Sequence, residues 1–234
     1  MTGTGTIINV GTVLLGTAIG VLVGHRLPEG IQQRVLFGLG MVTLVLGIDG
    51  ALQWDDTNPI IVMGAVLLGG IVGEVVGIER RLGQLGDYLQ RRFAGDGRSS
   101  ISEGFVTASL LFCVGPLTVV GSIQDGLTGD YSQLGAKALL DGFASIAFAA
   151  TLGWGVGLAA ITVLLIQGAI TLGAAPLDGV LGEGSEALAA LESAGGILII
   201  GISLKLLELR DVKVGNYLPA LLFAPLIAAL ADAL

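Results

Sequence analysis

Ile78-Glu-Arg-Arg-Leu-Gly-Gln-Leu-Gly-Asp-Tyr-Leu-Gln-Arg-Arg-Phe-Ala-Gly-Asp-Gly-Arg98 decides how this chain is read. It carries five arginines and lies between two long apolar stretches. Short loops rich in Lys and Arg stay on the cytoplasmic side of a membrane. Placing this loop inside therefore orients every other segment. Ile78, Leu82, Leu85, Leu89 and Phe93 recur at helical spacing, flanked by Arg80, Arg81, Arg91 and Arg92. The pattern predicts an amphipathic helix on the inner face of the bilayer, its arginines toward anionic lipid.

Composition excludes a water-soluble globule. The chain is 53% hydrophobic and only 13% charged, against about 25% charged residues in soluble domains. Its 39 glycines have no Gly-X-Y period and come with few aromatics. They suggest closely packed spanning helices, because small residues let backbones approach. With one cysteine, Cys113, in an apolar run, an intrachain disulfide is excluded and a Cys-based metal site is not expected. Met1 to Gly24 lacks the basic start and the cleavage site of a signal peptide. It reads as a first spanning helix with its N-terminus outside.

A spanning helix takes roughly 17–25 apolar residues. Eight are expected, at 5–24, 35–53, 58–77, 104–123, 134–152, 156–174, 193–209 and 214–232. The fifth and sixth share one uncharged run, Gly142 to Leu177, too long for a single crossing. Gly153, Gly155 and Gly157 mark the expected reversal. Nine of the eleven basic residues then fall inside, in a bacterial or archaeal plasma membrane with both termini extracytoplasmic. The outer loops are acidic: Asp55, Asp56, Asp125, Asp130, Asp178, Glu183, Glu186 and Glu192. Such a surface raises local cation concentration or reflects adaptation to high salt.

Two segments look alike. Leu27-Pro-Glu-Gly30 leads to Gly47-Ile48, and Leu181-Gly-Glu-Gly184 leads to Gly201-Ile202 at the same spacing. Asn58 and Asn216 each open the next helix, most simply as caps. Spans one to three (1–78) thus resemble spans six to eight (154–234). Segment 79–100 is the basic cytoplasmic piece and 101–153 holds two central spans outside the repeat. An odd number of crossings separates the copies, so they face opposite ways, as in many secondary transporters. The expected fold is an all-α polytopic bundle forming one membrane domain, 1–234.

The central spans carry the unusual residues. Pro116 leaves the carbonyl of Phe112 without its helical partner, and Gly115 weakens the helix further. Thr118, Ser122 and Asp125 follow on one face. Interrupted spans supply carbonyls for cations, although a plain proline kink reads the same way. Lys137, Asp141 and Ser145 recur at steps of four. Asp141 is either paired by Lys137 or binds a cation or proton during transport. Asp49 and Ser203, at equivalent repeat positions, are secondary candidates. Gln167 and Asn9 are expected to hydrogen-bond neighbouring helices. No nucleotide, zinc or nucleophile motif occurs, and His25 is the only histidine. No enzyme activity, cofactor or nucleic-acid partner is expected. The expected partners are the lipid bilayer, a small ion or solute, and other copies of the chain through Gly-rich faces.

Val114-Gly-Pro-Leu-Thr-Val-Val-Gly-Ser-Ile-Gln-Asp-Gly126, Gly129-Asp130, Lys137-Ala-Leu-Leu-Asp-Gly142 and Ser145 together resemble the YqgA/YdfK family. Gly195-Gly196, Val214-Gly-Asn-Tyr-Leu-Pro-Ala-Leu-Leu222 and Ala224-Pro225 are similar to its closing helices. The resemblance spans nearly the whole chain. It implies a prokaryotic integral membrane protein and supplies no activity. From the residues, the expected function is transport of a small ion or solute by alternating access, at the broken helix and Asp141. A passive channel and a membrane scaffold or regulator are the alternatives. The topology is checked by cysteine labelling in a Cys113→Ala background. Asp55→Cys should react with an impermeant maleimide on intact cells, and Ser99→Cys only after permeabilisation.

Overall fold

The computed structural model describes residues 2–24, 26, 28–81, 84, 101–114, 116–182 and 184–232. Among these, every regular element is helical: α1 (Thr4–Gly24), α2 (Glu29–Ala51), α3 (Pro59–Val76), α4 (Ile101–Val114), α5 (Pro116–Thr128), α6 (Ser132–Leu152), α7 (Gly155–Leu172), α8 (Ala174–Leu181), α9 (Glu186–Leu206) and α10 (Ala220–Asp232). Two short 3₁₀ turns, Leu52–Asp56 and Val214–Tyr217, lead into α3 and toward α10. Seven helical segments are long and apolar enough to cross a bilayer. The bent pair α4–α5 makes an eighth crossing, matching the expected number.

Local sequence explains the boundaries. Asn58 caps α3, its Oδ1 accepting from the Ile60 N–H, with Pro59 at the first helical position and left-handed Gly77 closing the last turn. Ser185 caps α9 by accepting from the Leu188 N–H. Gly153, at φ 72°, turns the chain between α6 and α7. Gly155 and Gly157, expected to help in that reversal, instead lie inside α7 and pack tightly. A Cβ on Gly155 would stand 2.2 Å from the Ile101 carbonyl oxygen. The fourth crossing breaks at the expected place: its halves meet at 59°. Other expectations need correction. The seventh begins at Glu186, so Glu186 and Glu192 belong to a helix rather than a loop, and α8 occupies part of the same expected loop. The Leu-x-Glu-Gly comparison rests on Leu27 and Glu183, which lie outside the described residues. So does most of the amphipathic segment, including Arg91 and Arg92.

The bundle is inverted relative to a soluble protein. Leu172, Val75, Leu222, Phe143 and Ile7 are 70% exposed or more. Asn9, Thr17, Ser122, Asp125, Ser145 and Gln167 are completely buried. An apolar exterior of this extent is stable only against lipid. Trp54 and Trp154 stand half exposed near opposite ends of the bundle, where indoles favour the interface.

Glycine sets the packing. Gly16, Gly20 and Gly24 lie on one stripe of α1, and a Cβ on each would come within 2.4 Å of the carbonyl oxygens of Gly142, Ile146 and Ala150. α1 and α6 therefore run parallel in near-backbone contact. α4 lies parallel along α7 in the same manner, with Gly155 against Ile101 and Ser109 hydrogen-bonded to Thr162. α2 crosses α9 antiparallel, Gly47 against Ile200 and Gly40 against Leu207. α3 crosses α10 and its preceding turn antiparallel, through Gly69 on Ala220 and Gly73 on Asn216. These glycine stripes are consumed inside the chain.

Gly20→Ala should lower the unfolding temperature of the purified protein, because overpacking costs about 1–3 kcal/mol. Gly11→Ala, which meets nothing within 4 Å, should leave it unchanged.

Candidate functional site

The centre of the bundle is built where α1, α5, α6 and α7 meet. Two hydrogen bonds set the register of α1. The Gly3 N–H donates to Asp125 Oδ2 at 3.1 Å, and Asn9 Nδ2 donates to Asp141 Oδ2 at 2.9 Å. Thr6 lies between them, about 4.5 Å along the helix axis from each. On α5, Ser122 sits one turn from Asp125, and Thr118 one turn further. α7 presents Thr171, whose carbonyl touches Gly126 beside Asp125, and Gln167 one turn away. The result is a column of polar side chains running inward from the end where α1 begins.

Lys137 and Asp141 form a buried ion pair one helical turn apart. The Lys137 ammonium also lies 5.9 Å from the centre of the Phe112 ring, within cation–π range. Of the two readings of Asp141, the structure realises the pair and adds Asn9 as a second donor. The freed carbonyl of Phe112 is likewise taken: Thr118 Oγ1 donates to it at 2.9 Å. Phe112, Thr118, Lys137 and Asp141 thus form one assembly at the helix break. Pro116 opens α5, and Gly115 lies outside the described residues.

The rest of the column is not satisfied. Thr6 Oγ1, Asn9 Oδ1, Thr17 Oγ1, Ser122 Oγ, Asp125 Oδ1, Ser145 Oγ, Thr171 Oγ1 and both polar atoms of Gln167 are buried without a hydrogen-bond partner. In soluble proteins, leaving such an atom unpaired costs about 1–3 kcal/mol. Gln167 does not make the expected interhelical bond. Thr6, Thr17 and Thr171 were not singled out from sequence, because isolated threonines in apolar helices carry no motif. Spacing supplied the only signal: Thr6, Asn9, Val13, Gly16, Thr17 and Gly20 line one face of α1, and all are buried.

The secondary candidates do not join this site. Asp49 is exposed on α2. Ser203 is buried, but its hydroxyl donates to the Ile200 carbonyl of its own helix at 2.7 Å. Asn216 is not a simple cap either. Its Oδ1 accepts from the Glu79 N–H, its Nδ2 donates to Glu74, and Glu79 in turn accepts from the Gly215 N–H. This knot ties the end of α3 to the turn before α10. Arg80 and Arg81 are exposed beside it.

Two polar recesses flank the buried column. One, about 260 Å³ near the end of α5, is lined by Gln124, Thr128, Gln133 and Asp178, and neither Ser122 nor Asp125 lines it. The other, about 190 Å³ at the opposite end, is lined by Glu79, Ser102, Glu103 and Lys205. A separate apolar groove of about 470 Å³ runs beside the break, lined by Leu110, Cys113, Val119, Ile170 and Leu222. Asp130, in the turn between α5 and α6, is held below the usual carboxylate range, chiefly by the Ser132 N–H.

The model of the family described as "Protein of unknown function (DUF554)" matches residues 4–229. The chain belongs to this family. It is 31% identical over 225 residues to an "Uncharacterized membrane protein YdfK" of Bacillus subtilis (strain 168), covering 95% of this chain and 94% of that one. It is 33% identical over 233 residues to an "Uncharacterized protein YqgA" of Escherichia coli (strain K12), covering 96% of each. No solved structure matches it. With the apolar exterior and the eight candidate crossings, the family identifies a multi-pass membrane protein in contact with the bilayer.

Lys137→Met leaves Asp141 as an uncompensated buried charge and should destabilise the protein by about 3–5 kcal/mol. Lys137→Met with Asp141→Leu removes both charges and should recover most of that loss. Reversible unfolding in detergent checks both.

Proposed function

We propose that this protein moves a small ion or small solute across the plasma membrane by alternating access, with the site in the buried polar column beside the broken helix α4–α5. The observation that carries the reading is the set of buried polar atoms without partners, held in a bundle whose exterior is apolar. Polar groups at membrane depth normally pair with one another or line a path for a polar ligand. Here the Lys137–Asp141 pair is satisfied, while its neighbours on four helices are not. The column is closed, and recesses lie toward both ends of the bundle, which fits an occluded state between two mouths.

The repeat supports the same reading. On one constant offset, α1 corresponds to α7, α2 to α9 and α3 to α10. Each of these helices packs antiparallel on its proposed counterpart: Thr17 on Gly157, Gly47 on Ile200, Gly69 on Ala220. Counterparts that cross one another in this way lie on a two-fold axis in the membrane plane. The central crossings stay outside the repeat, and α6 and α4 run parallel to α1 and α7 respectively. Inverted repeats of this kind let one half rock against the other. Both termini are placed outside on the distribution of arginines, and no catalytic role is assigned. A passive channel keeps the same polar centre and is the second reading.

Charge movement in proteoliposomes on a solid-supported membrane tests this. A saturable current or solute flux is expected for the wild type. It should be lost in Asp141→Asn, which leaves Lys137 without its partner, and in Asp125→Asn, each shown to be folded by size exclusion. Transport at the wild-type rate in both variants would remove the site from this position.

A further inference from the structure

The polar column does not balance its charge. Among the described residues it holds two carboxylates, Asp125 and Asp141, and one ammonium, Lys137. Lys137 is committed to Asp141, and Asn9 donates to the same carboxylate oxygen. Asp125 is completely buried, and its one hydrogen bond shown is the Gly3 N–H on Oδ2. The start of α1 aims the positive end of a helix at that oxygen, which offsets part of a unit charge. Oδ1 has no partner. A net charge of minus one in a closed, buried core is costly unless a cation joins it.

The neighbouring atoms say what kind of cation. Thr6 Oγ1, Asn9 Oδ1, Ser122 Oγ, Thr171 Oγ1 and Gln167 Oε1 are all oxygens, all buried, all without hydrogen-bond partners. They lie within about two helical turns of Asp125 along α1, α5 and α7. Hard cations are bound by carboxylate, carbonyl and hydroxyl oxygens. A proton on Asp125 would satisfy one oxygen and leave the others unpaired. A divalent ion would turn the deficit into an excess of one positive charge. An anion would deepen it.

We infer that Asp125 is the charged ligand of a dehydrated alkali cation, Na⁺ or K⁺, completed by Thr6, Ser122 and Thr171. This rests on the transport reading for its use, since the bound ion would be the substrate or the coupling ion of the same column. It moves the ion-binding role from Asp141, which its own pair already neutralises, to Asp125.

The test is binding, measured apart from transport. The unfolding temperature of the purified protein is followed in detergent while Na⁺, K⁺ or Li⁺ replaces choline at constant ionic strength, at pH 5.5 and 8. A ligand held only by the folded state should raise it saturably with concentration, by at least about 3 °C near 100-fold excess over its dissociation constant. The shift should vanish in Asp125→Asn and weaken at least tenfold in apparent affinity in Ser122→Ala and Thr171→Val. Those two variants keep the charge and guard against a misfolded Asp125→Asn. Asp141→Asn leaves Lys137 available to Asp125 and should also weaken it. No cation-specific shift in the wild type would overturn the inference. So would a rise on acidification alone that disappears in Asp125→Asn, which would assign Asp125 to a proton. Flux of a solute with no dependence on any alkali ion would leave the transport reading standing without this site. Binding without flux would do the reverse.

Discussion

A polar atom in hydrocarbon must find a partner within the protein, because no water is there to receive it. That constraint organises the whole molecule. It forces the backbone into helices, whose amides bond internally. It turns apolar side chains outward and gathers Asn9, Asp125, Lys137, Asp141 and Gln167 inward. It also explains the pair at the centre: Lys137 and Asp141 on successive turns of α6 pair with each other within one helix. Tertiary packing then adds Asn9 from α1 and the ring of Phe112 from α4.

Close approach follows from the same solvent. Between helices in lipid there is little hydrophobic drive to associate, so contact must be van der Waals and intimate. The stripes Gly16-Gly20-Gly24, Gly47-Gly50 and Gly69-Gly73 supply it, each against a facing backbone. The same closeness fixes register. A shift of one residue in α1 would separate Asn9 from Asp141 and Gly3 from Asp125 together. Packing and polar pairing therefore specify one arrangement, and the unsatisfied oxygens between those two bonds are held in place by it. Proline acts differently at the break. It frees the Phe112 carbonyl, and Thr118, two residues into α5, reclaims it. The bend is stabilised locally, leaving Ser122 and Asp125 to face the column.

The apolar runs, the arginine-rich loop and the Asn58-Pro59 and Gly153 signals made the eight crossings legible, because hydropathy and caps act through neighbours in sequence. The central motif pointed to Phe112, Thr118, Ser122, Asp125, Lys137, Asp141 and Ser145, and these share one buried region. The reading missed Thr6, Thr17 and Thr171, and assigned Asn216 to a cap, Gln167 to a bond it does not make and Ser203 to a site it does not enter. Ser203 bonds within its own helix; the others depend on what a different helix presents opposite, and no local pattern records it.

Sequence by itself determined that this chain lives in a bilayer, how many times it crosses, where its fourth crossing breaks and which acid has a lysine one turn away. These follow from composition and from spacings of a few residues. Only the tertiary structure decided that Asp141 is already satisfied while Asp125 is not. Thr118 closes the Phe112 carbonyl only because of how α5 departs from α4. α1 also crosses α7, α2 crosses α9 and α3 crosses α10. Apart from the Thr118 bond, those outcomes depend on contacts between residues more than a hundred positions apart, such as Gly3 with Asp125 and Asn9 with Asp141. Their energies exist only once α1, α5, α6 and α7 are in one place.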